Sequence, residues 1–153
     1  MTAELDLEAY LRRVEYAGER RPSRAAPHAL HFAHVTHIPF ENLHILLRRA
    51  ISLDLASLQA KLVAGRRGGY CFEQNLLFSA VLQALGFTVT QLAARVRLGT
   101  DALRPRTHMT GGVSQHVGTA RGWPEQAHQK LECGALSGTI APDYYVDVCR
   151  DGG

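Results

Sequence analysis

The sequence has few cysteines and no arrangement of them that forms a disulfide framework or a zinc site. Cys71, Cys133 and Cys149 are odd in number, lie far apart and include no CxxC pair. This usage indicates a chain kept in a reducing cytoplasm. No apolar run approaches the length of a membrane span, and the start of the chain lacks the apolar core of a signal peptide. We therefore expect a cytoplasmic protein with no membrane partner.

The sequence also lacks a strong excess of positive or negative side chains. The formal net charge is +3, and the arginines occur in small groups rather than in one stripe with interleaved aromatic residues. We therefore expect no nucleic-acid partner. A hydrophobic content of 46% and 153 residues suffice for one folded domain with a core.

Helical periodicity dominates the first part of the chain and strand periodicity begins later. The pattern predicts helices over residues 5–17, 23–36, 55–63 and 71–85, and strands over 87–98 and 144–148. Gly18 and Gly86 are expected to end helices, and 38–43 and 99–105 to be connections. The order is that of an α+β fold. It divides the chain into a helical domain, 1–86, and an incomplete β-rich portion, 87–153, with an irregular segment at 110–143.

The stretch RRGGYCFEQN, residues 66–75, places Cys71 at the start of the predicted helix 71–85. Unpaired N–H groups and the positive end of the helix dipole favour a thiolate there. Cys71 is therefore a candidate nucleophile. Free cysteines are also often buried and then only pack, so position alone leaves both interpretations open.

Four histidines are spaced three residues apart: His28, His31, His34 and His37. A metal site needs three or four converging ligands, and neither carboxylates nor cysteines lie near this run. We expect surface or hydrogen-bonded core histidines and no metal ion.

A cysteine nucleophile needs a base, and the base needs a third group that orients it. The histidines after Cys71 are His108, His116 and His128. His108 follows a loop after the predicted strand 87–98, where a rigid scaffold can present a side chain. The candidate acids are Asp101, Asp143, Asp147 and Asp151. Asp147 differs most from its neighbours, because it lies between two valines of the predicted strand 144–148.

The sequence resembles the arylamine N-acetyltransferase family in several motifs that follow the family's order. The most specific is RGGYCFEQN, residues 67–75; the others include YLRRV at 10–14, IPFENL at 38–43 and THM at 107–109. Together they cover residues 1–109 nearly without gaps.

The resemblance implies a ping-pong reaction with acetyl-CoA as the co-substrate and no metal. Cys71 would accept the acetyl group, with His108 as its base and Asp147 as the third member of the triad. An arylamine, arylhydrazine or arylhydroxylamine would then take the acetyl group. The implied fold is a helical bundle followed by strands, a cysteine-protease-like catalytic core. Glu41 and Arg67 match motif positions too, and we expect them to be structural and paired.

The match to the family changes after residue 109. In the family the strand that carries the aspartate follows the histidine after a short hairpin, whereas here the segment 110–143 comes between them. We therefore expect a shortened member with a divergent segment, in which the C-terminal barrel and lid are largely absent. Uncovered strand edges would then favour an oligomer.

Three functions compete at this point. The first is acetyl-CoA-dependent N-acetyl transfer. The second is acyl hydrolysis by a cysteine hydrolase, since without a lid water can reach an acyl-cysteine. The third is a non-catalytic remnant of the family. Acetylation of Cys71, and its discharge by an amine, would separate them.

Overall fold

The structure of the chain, a computed structural model, describes residues 4–98, 107–114 and 144–148, with side chains for 4–93, 107–111 and 113. Five α-helices, one π-helix and three strands occur in these residues. The elements are α1 (Leu7–Arg13), α2 (Ala26–His37), α3 (Leu43–Leu46), α4 (Leu55–Leu58), the π-helix (Gln59–Ala64), α5 (Cys71–Ala84), β1 (Thr88–Leu98), β2 (His108–Ser114) and β3 (Tyr144–Val148). The predicted mixture of helices and strands is confirmed. The predicted loop 99–105 lies outside the described residues.

Helix α1 is shorter than the periodicity predicted. Asp6 caps its start by accepting a hydrogen bond from the Ala9 N–H at 2.8 Å. Its end is a left-handed turn at Glu15, with φ of 54°. The amide of Tyr16 reaches back to the Leu11 carbonyl at 3.0 Å, which is the closing bond of a Schellman motif. The helix therefore ends before Gly18, and the expectation that Gly18 ends it is wrong.

Helix α5 follows the prediction closely. Gly86 takes the left-handed conformation, with φ of 87°, and the Phe87 N–H bonds to the Leu82 carbonyl at 3.0 Å. Phe87 and Leu82 are both buried, which is the apolar contact that usually accompanies this motif.

Two features between α2 and α5 differ from the prediction. The expected helix 55–63 is a single turn of α-helix that continues as the π-helix, whose end is marked by Arg66 in the left-handed region. Helix α3 lies at the end of the expected connection and was not predicted. Its leucines are mostly exposed, so it lacks the apolar face that a periodicity search detects.

The three strands form one antiparallel sheet in the order β2-β1-β3. The strand prediction for 144–148 is confirmed. Strand β2 corrects the expectation that 110–143 is irregular, because Thr110–Ser114 pairs with β1 from Leu92 to Thr88. The glycines at 111 and 112 lower the strand signal there, and the pairing is supplied by β1. The remainder, 115–143, lies outside the described residues.

A cluster of buried side chains joins the helices to the sheet. It is centred on α1, α2, the π-helix and α5, with Val89 and Val113 packed against it from β1 and β2. Helix α5 thus lies between the other helices and the sheet, and its first residue comes next to the start of β2.

Candidate active site

The loop before α5 is held by a second backbone segment. Phe40 and Gly69 form an isolated parallel bridge. The Glu41 N–H donates to the Gly69 carbonyl at 3.0 Å, and the Gly69 N–H donates to the Pro39 carbonyl at 3.3 Å. The two motifs 38–43 and 67–75, separate in sequence, are therefore one structural unit.

Both glycines of the loop are required by close approach. A Cβ at Gly68 would lie 2.2 Å from the Pro39 carbonyl oxygen. A Cβ at Gly69 would lie 2.9 Å from Cβ of Glu73. Neither site has space for a side chain, since such contacts are far inside van der Waals distance.

Glu41 and Arg67 form an ion pair, as predicted. The other oxygen of Glu41 accepts from the Gly68 N–H at 3.2 Å, and Arg67 also donates to His44 Nε2 at 3.0 Å. Burial works to raise the pKa of Glu41, but the hydrogen bonds from Arg67 and Gly68 outweigh it and the pKa is lowered. The pair fixes the loop from its outer side.

Cys71 is the first residue of α5 and is half-buried, with a free thiol. Its Sγ lies 3.9 Å from the Thr107 carbonyl oxygen. Burial raises the pKa of the Cys71 thiol, and hydrogen bonds from the Met109 and Phe72 N–H groups offset this only in part. The amide of Phe72 at the helix start thus acts in the expected direction, toward a thiolate, but burial has the larger effect on the thiol pKa. A base must take the thiol proton.

Asn75 ties the start of α5 to β2. Its Nδ2 donates to the Cys71 carbonyl at 2.8 Å and to the Met109 carbonyl at 3.0 Å. Asn75 is the last residue of the motif RGGYCFEQN, yet its function was missed because nothing in the sequence indicates which strand it reaches.

His108 is the first residue of β2 and follows directly after Thr107, whose carbonyl faces the Cys71 sulfur. Its Nδ1 is buried and has no hydrogen-bond partner among the described residues. Burial lowers the pKa of His108. A neutral imidazole with one unsatisfied nitrogen is the form that can accept a proton or take a carboxylate partner.

Asp147 lies in β3, on the other side of β1 from His108. In the register of the sheet His108 is opposite Ala94 and Asp147 is opposite Arg95. Two strand spacings, about 10 Å, separate their backbones. The side chain of Asp147 lies outside the described part, and its function in a triad stays a prediction. His116 and His128, with Asp101, Asp143 and Asp151, lie outside the described residues.

Comparison with known proteins identifies the family. A family model described as N-acetyltransferase matches residues 26–118, which is more than half of the chain. The chain belongs to the arylamine N-acetyltransferase family.

The relatives of the chain carry that name. The arylamine N-acetyltransferase of Escherichia coli K12 is 50% identical over 103 residues, 67% of this chain and 37% of the relative. The enzyme of Mycobacterium bovis is 40% identical over 163 aligned positions, 97% of this chain and 56% of the relative. The chain thus spans between about a third and just over half of the length of these relatives.

Solved structures of the family have the same fold in the matched region. The Nocardia farcinica arylamine N-acetyltransferase is 51% identical, with a TM-score of 0.72 over 76% of this chain and 41% of that one. The Mycobacterium marinum enzyme solved in complex with CoA is 38% identical, with a TM-score of 0.66 over 71% of this chain and 41% of that one.

Behind the site of this N-acetyltransferase family member, a buried hydrogen-bond chain joins α1, α2 and α5. Gln74 Nε2 donates to the carbonyls of Pro39 at 2.9 Å and Gly69 at 3.3 Å. Its Oε1 therefore faces His34 Nε2, at 2.7 Å. An amide oxygen only accepts, so His34 carries its proton on Nε2 and its Nδ1 accepts from the Tyr10 hydroxyl at 2.7 Å.

His34 is thus a hydrogen-bonded core residue, which confirms one of the two alternatives expected for the histidine run. Burial lowers the pKa of His34 to about 4, with the Gln74 hydrogen bond acting in the opposite direction. Within the described ranges no group of three or more His, Cys, Asp or Glu side chains converges as metal ligands would. No helix in the same ranges is long and apolar enough to cross a membrane.

Proposed function

We propose that this chain transfers an acetyl group from acetyl-CoA to an arylamine through an acetyl-cysteine at Cys71. The observation that carries the proposal is the position of the Cys71 sulfur, at the start of α5 and against the backbone that leads into His108. The family to which the chain belongs supports the reaction class.

The first half-reaction forms the acetyl-cysteine. His108 takes the thiol proton, and the sulfur attacks the thioester carbonyl of acetyl-CoA. The N–H groups of Phe72 and Met109, which lower the pKa of the thiol, would also stabilise negative charge beside the sulfur. The intermediate collapses with release of the CoA thiolate, which receives the proton from His108.

The second half-reaction returns the enzyme to its starting state. The amine nitrogen attacks the acetyl carbonyl while His108 takes its proton. The tetrahedral intermediate then expels the Cys71 thiolate, which is protonated again by His108. In this proposal Asp147 must reach His108 across β1 to stabilise the imidazolium. Replacing Asp147 by asparagine should then lower acetylation without removing Cys71 reactivity.

Arylamines, arylhydrazines and arylhydroxylamines are the acceptors we propose. One relative supports the last class: the Salmonella typhimurium protein, 48% identical over 67% of this chain, is named an arylamine N-acetyltransferase and N-hydroxyarylamine O-acetyltransferase. We also propose that the helices and the sheet form a cysteine-protease-like catalytic core. The barrel and lid that the resemblance implies would lie outside the matched part.

The proposal also bears on the compartment of the protein and on its self-association. Cys71 needs a reducing compartment to remain a thiol, which favours the cytoplasm. Among the described strands, β2 and β3 are the edges of the sheet, and their free edges would allow the chain to self-associate.

The test measures release of free CoA and formation of N-acetylated amine, with and without an aromatic amine such as 4-aminobenzoate. We expect CoA release in stoichiometric amount without amine and in multiple turnovers with it. Cys71→Ser is expected to remove both, and His108→Gln to lower both by at least about a hundredfold.

Each other outcome contradicts the proposal. Multiple turnovers without amine indicate a hydrolase, in which water discharges the acetyl-cysteine. Absence of CoA release, in a chain shown by circular dichroism to be folded, indicates a non-catalytic family member. Cys133→Ser and Cys149→Ser are the matched controls and should leave both products unchanged.

A further inference from the structure

Glu73 places a buried carboxylate in the first turn of α5, two residues after the proposed nucleophile. The residue is only 2% exposed. Its Oε2 accepts from the Tyr70 N–H, the amide just before Cys71, at 3.0 Å. A side chain at Gly69 would lie 3.0 Å from the same oxygen. The carboxylate therefore fixes the turn that presents the sulfur.

Lys61 balances this carboxylate from the π-helix. Its Nζ lies 2.8 Å from Oε1 and 2.9 Å from Oε2 of Glu73. The side chain of Lys61 is 12% exposed, so little water screens the pair. The Lys61 carbonyl also accepts from the Arg67 N–H at 3.1 Å. Lys61 thus holds the loop 65–70 through both its backbone and its side chain.

A buried carboxylate without a counter-charge would oppose formation of a thiolate beside it, because like charges in a poorly solvated site repel strongly. Burial and Cys71 raise the pKa of the neighbouring Tyr70, and Glu73 adds a smaller effect in the same direction. Other charged or titratable groups lie near the turn: Arg13 on α1, His44 on α3, Glu41, Arg66 and Arg67 at the loop, and His108 on β2. Arg67 is already paired with Glu41.

We propose that Lys61 and Glu73 form a charge-balanced cap for the nucleophile. Glu73 fixes the amide before Cys71, and Lys61 cancels the field of Glu73 at the sulfur. Both are positioning residues rather than catalytic ones. The inference rests on the proposed function of Cys71 as the nucleophile.

The test compares Glu73→Gln, Lys61→Met and the double variant in the full chain. Glutamine can still accept from the Tyr70 N–H, and methionine keeps most of the length of lysine, so each change removes mainly a charge. The readout is the rate of alkylation of Cys71 by iodoacetamide against pH, followed on the Cys71 peptide by mass spectrometry.

The charge-balanced cap predicts shifts of opposite sign. Glu73→Gln leaves Lys61 positive and should lower the pH midpoint of alkylation by about one unit. Lys61→Met leaves Glu73 negative and should raise it by about one unit. The double variant should return to the wild-type midpoint, and Lys61→Arg, the matched control, should not depart from it.

A purely structural pair gives a different result. It would lower the melting temperature of both single variants and leave the midpoint unchanged, or shift it in the same direction in both, and either result overturns the proposal. If Lys61→Met does not fold, Glu73→Gln and the double variant still decide. Alkylation involves no acetyl transfer, so a chain that shows the predicted shifts but takes no acetyl group contradicts the proposed function and not the cap.

Discussion

At the residue scale, the loop before Cys71 takes its conformation because its backbone packs directly against the backbone at Pro39 and Phe40. The Pro39 carbonyl occupies the space where any side chain at position 68 would begin. At the same residue, the Gly68 N–H donates a hydrogen bond to the Glu41 carboxylate. The glycine, the carboxylate and the bridge Phe40–Gly69 are therefore consequences of one packing arrangement.

Gly68→Ala should lower the free energy of unfolding by about 3 kcal/mol, because the added methyl group meets a backbone oxygen that cannot move without breaking the bridge. Gly111→Ala is the matched control. Its Cβ would meet Val89 Cγ1 at 3.9 Å, an ordinary contact, and the change should stay within about 1 kcal/mol. Urea denaturation of both variants measures the difference, and equal losses would contradict the close-approach argument.

The buried His34 makes stability depend on pH. Its pKa falls from 6.5 to about 4 on folding, so between these values the unfolded chain binds a proton that the folded chain does not. Stability is fully present above pH 6.5 and is lost as the pH falls toward 4, by up to about 1.4 kcal/mol per pH unit. Denaturant unfolding at several pH values should show this slope.

Carboxylates also make the stability depend on pH, so the contribution of His34 is measured by comparing the wild type with a His34 variant. His34→Gln should flatten the dependence between pH 6.5 and 4, whereas His28→Gln, at an exposed position on the same helix, should not. The same slope in the wild type and His34→Gln would refute a neutral His34 in the core.

At the scale of elements, α5 is the part that brings the site together. Its start carries Cys71, its next turn reaches β2 through Asn75, and its buried Gln74 binds the loop that precedes it. The site is thus built from one helix and the two segments that its polar side chains hold.

Asn75→Asp should weaken the contact between α5 and β2, because a carboxylate cannot donate to the Cys71 and Met109 carbonyls. We expect a loss of about 2 to 3 kcal/mol in stability and a lower rate of Cys71 acetylation, since Thr107 and His108 are no longer held beside the sulfur. Asn42→Asp, at an exposed position without a side-chain cap, serves as the control. Wild-type acetylation by a folded Asn75→Asp chain would contradict this assignment.

The elements that the sequence predicted share strong local signals. Helix α5 has an apolar face and an ending glycine, β1 alternates apolar and polar residues, and β3 is rich in tyrosine and valine. The missed features have none of these. Helix α1 ends in a left-handed glutamate, α3 presents exposed leucines, and β2 begins with a histidine and contains two glycines. For β2 it is pairing with β1 that decides the conformation, and no local pattern in the sequence indicates that pairing.

The same distinction holds for the site. Cys71 could be predicted because a motif and a helix start coincide, and Glu41 with Arg67 because both match motif positions. The sequence could not predict that the pKa of the Cys71 thiol is raised, because the burial of this thiol depends on how β2 packs over the start of α5. Lys61 and Glu73 were also missed as a pair, because lysine and glutamate twelve residues apart form no recognised pattern.

At the scale of the whole molecule, the chain spans only part of the length of its relatives. Six large apolar residues are exposed between positions 40 and 53, and we call them the apolar surface: Phe40, Leu43, Ile45, Leu46, Leu47 and Leu53. Exposed apolar residues grouped along one segment favour contact with another protein surface.

We expect the purified chain to self-associate as its concentration rises, measured by sedimentation velocity. Leu46→Glu should weaken the association, while Phe32→Glu, equally exposed at 69% but on α2, should not. Association that survives Leu46→Glu points instead to the strand edges. A chain that stays monomeric at every concentration contradicts both.

The central claim is that Cys71 accepts an acetyl group, and the mass of the intact chain tests it most directly. The chain is mixed with acetyl-CoA, quenched in acid, weighed and digested. The account predicts a gain of one acetyl group, located on the Cys71 peptide, absent in Cys71→Ser and lost again when an aromatic amine is added before the quench. A folded chain that gains no acetyl group, or gains it equally in Cys71→Ser, would contradict it.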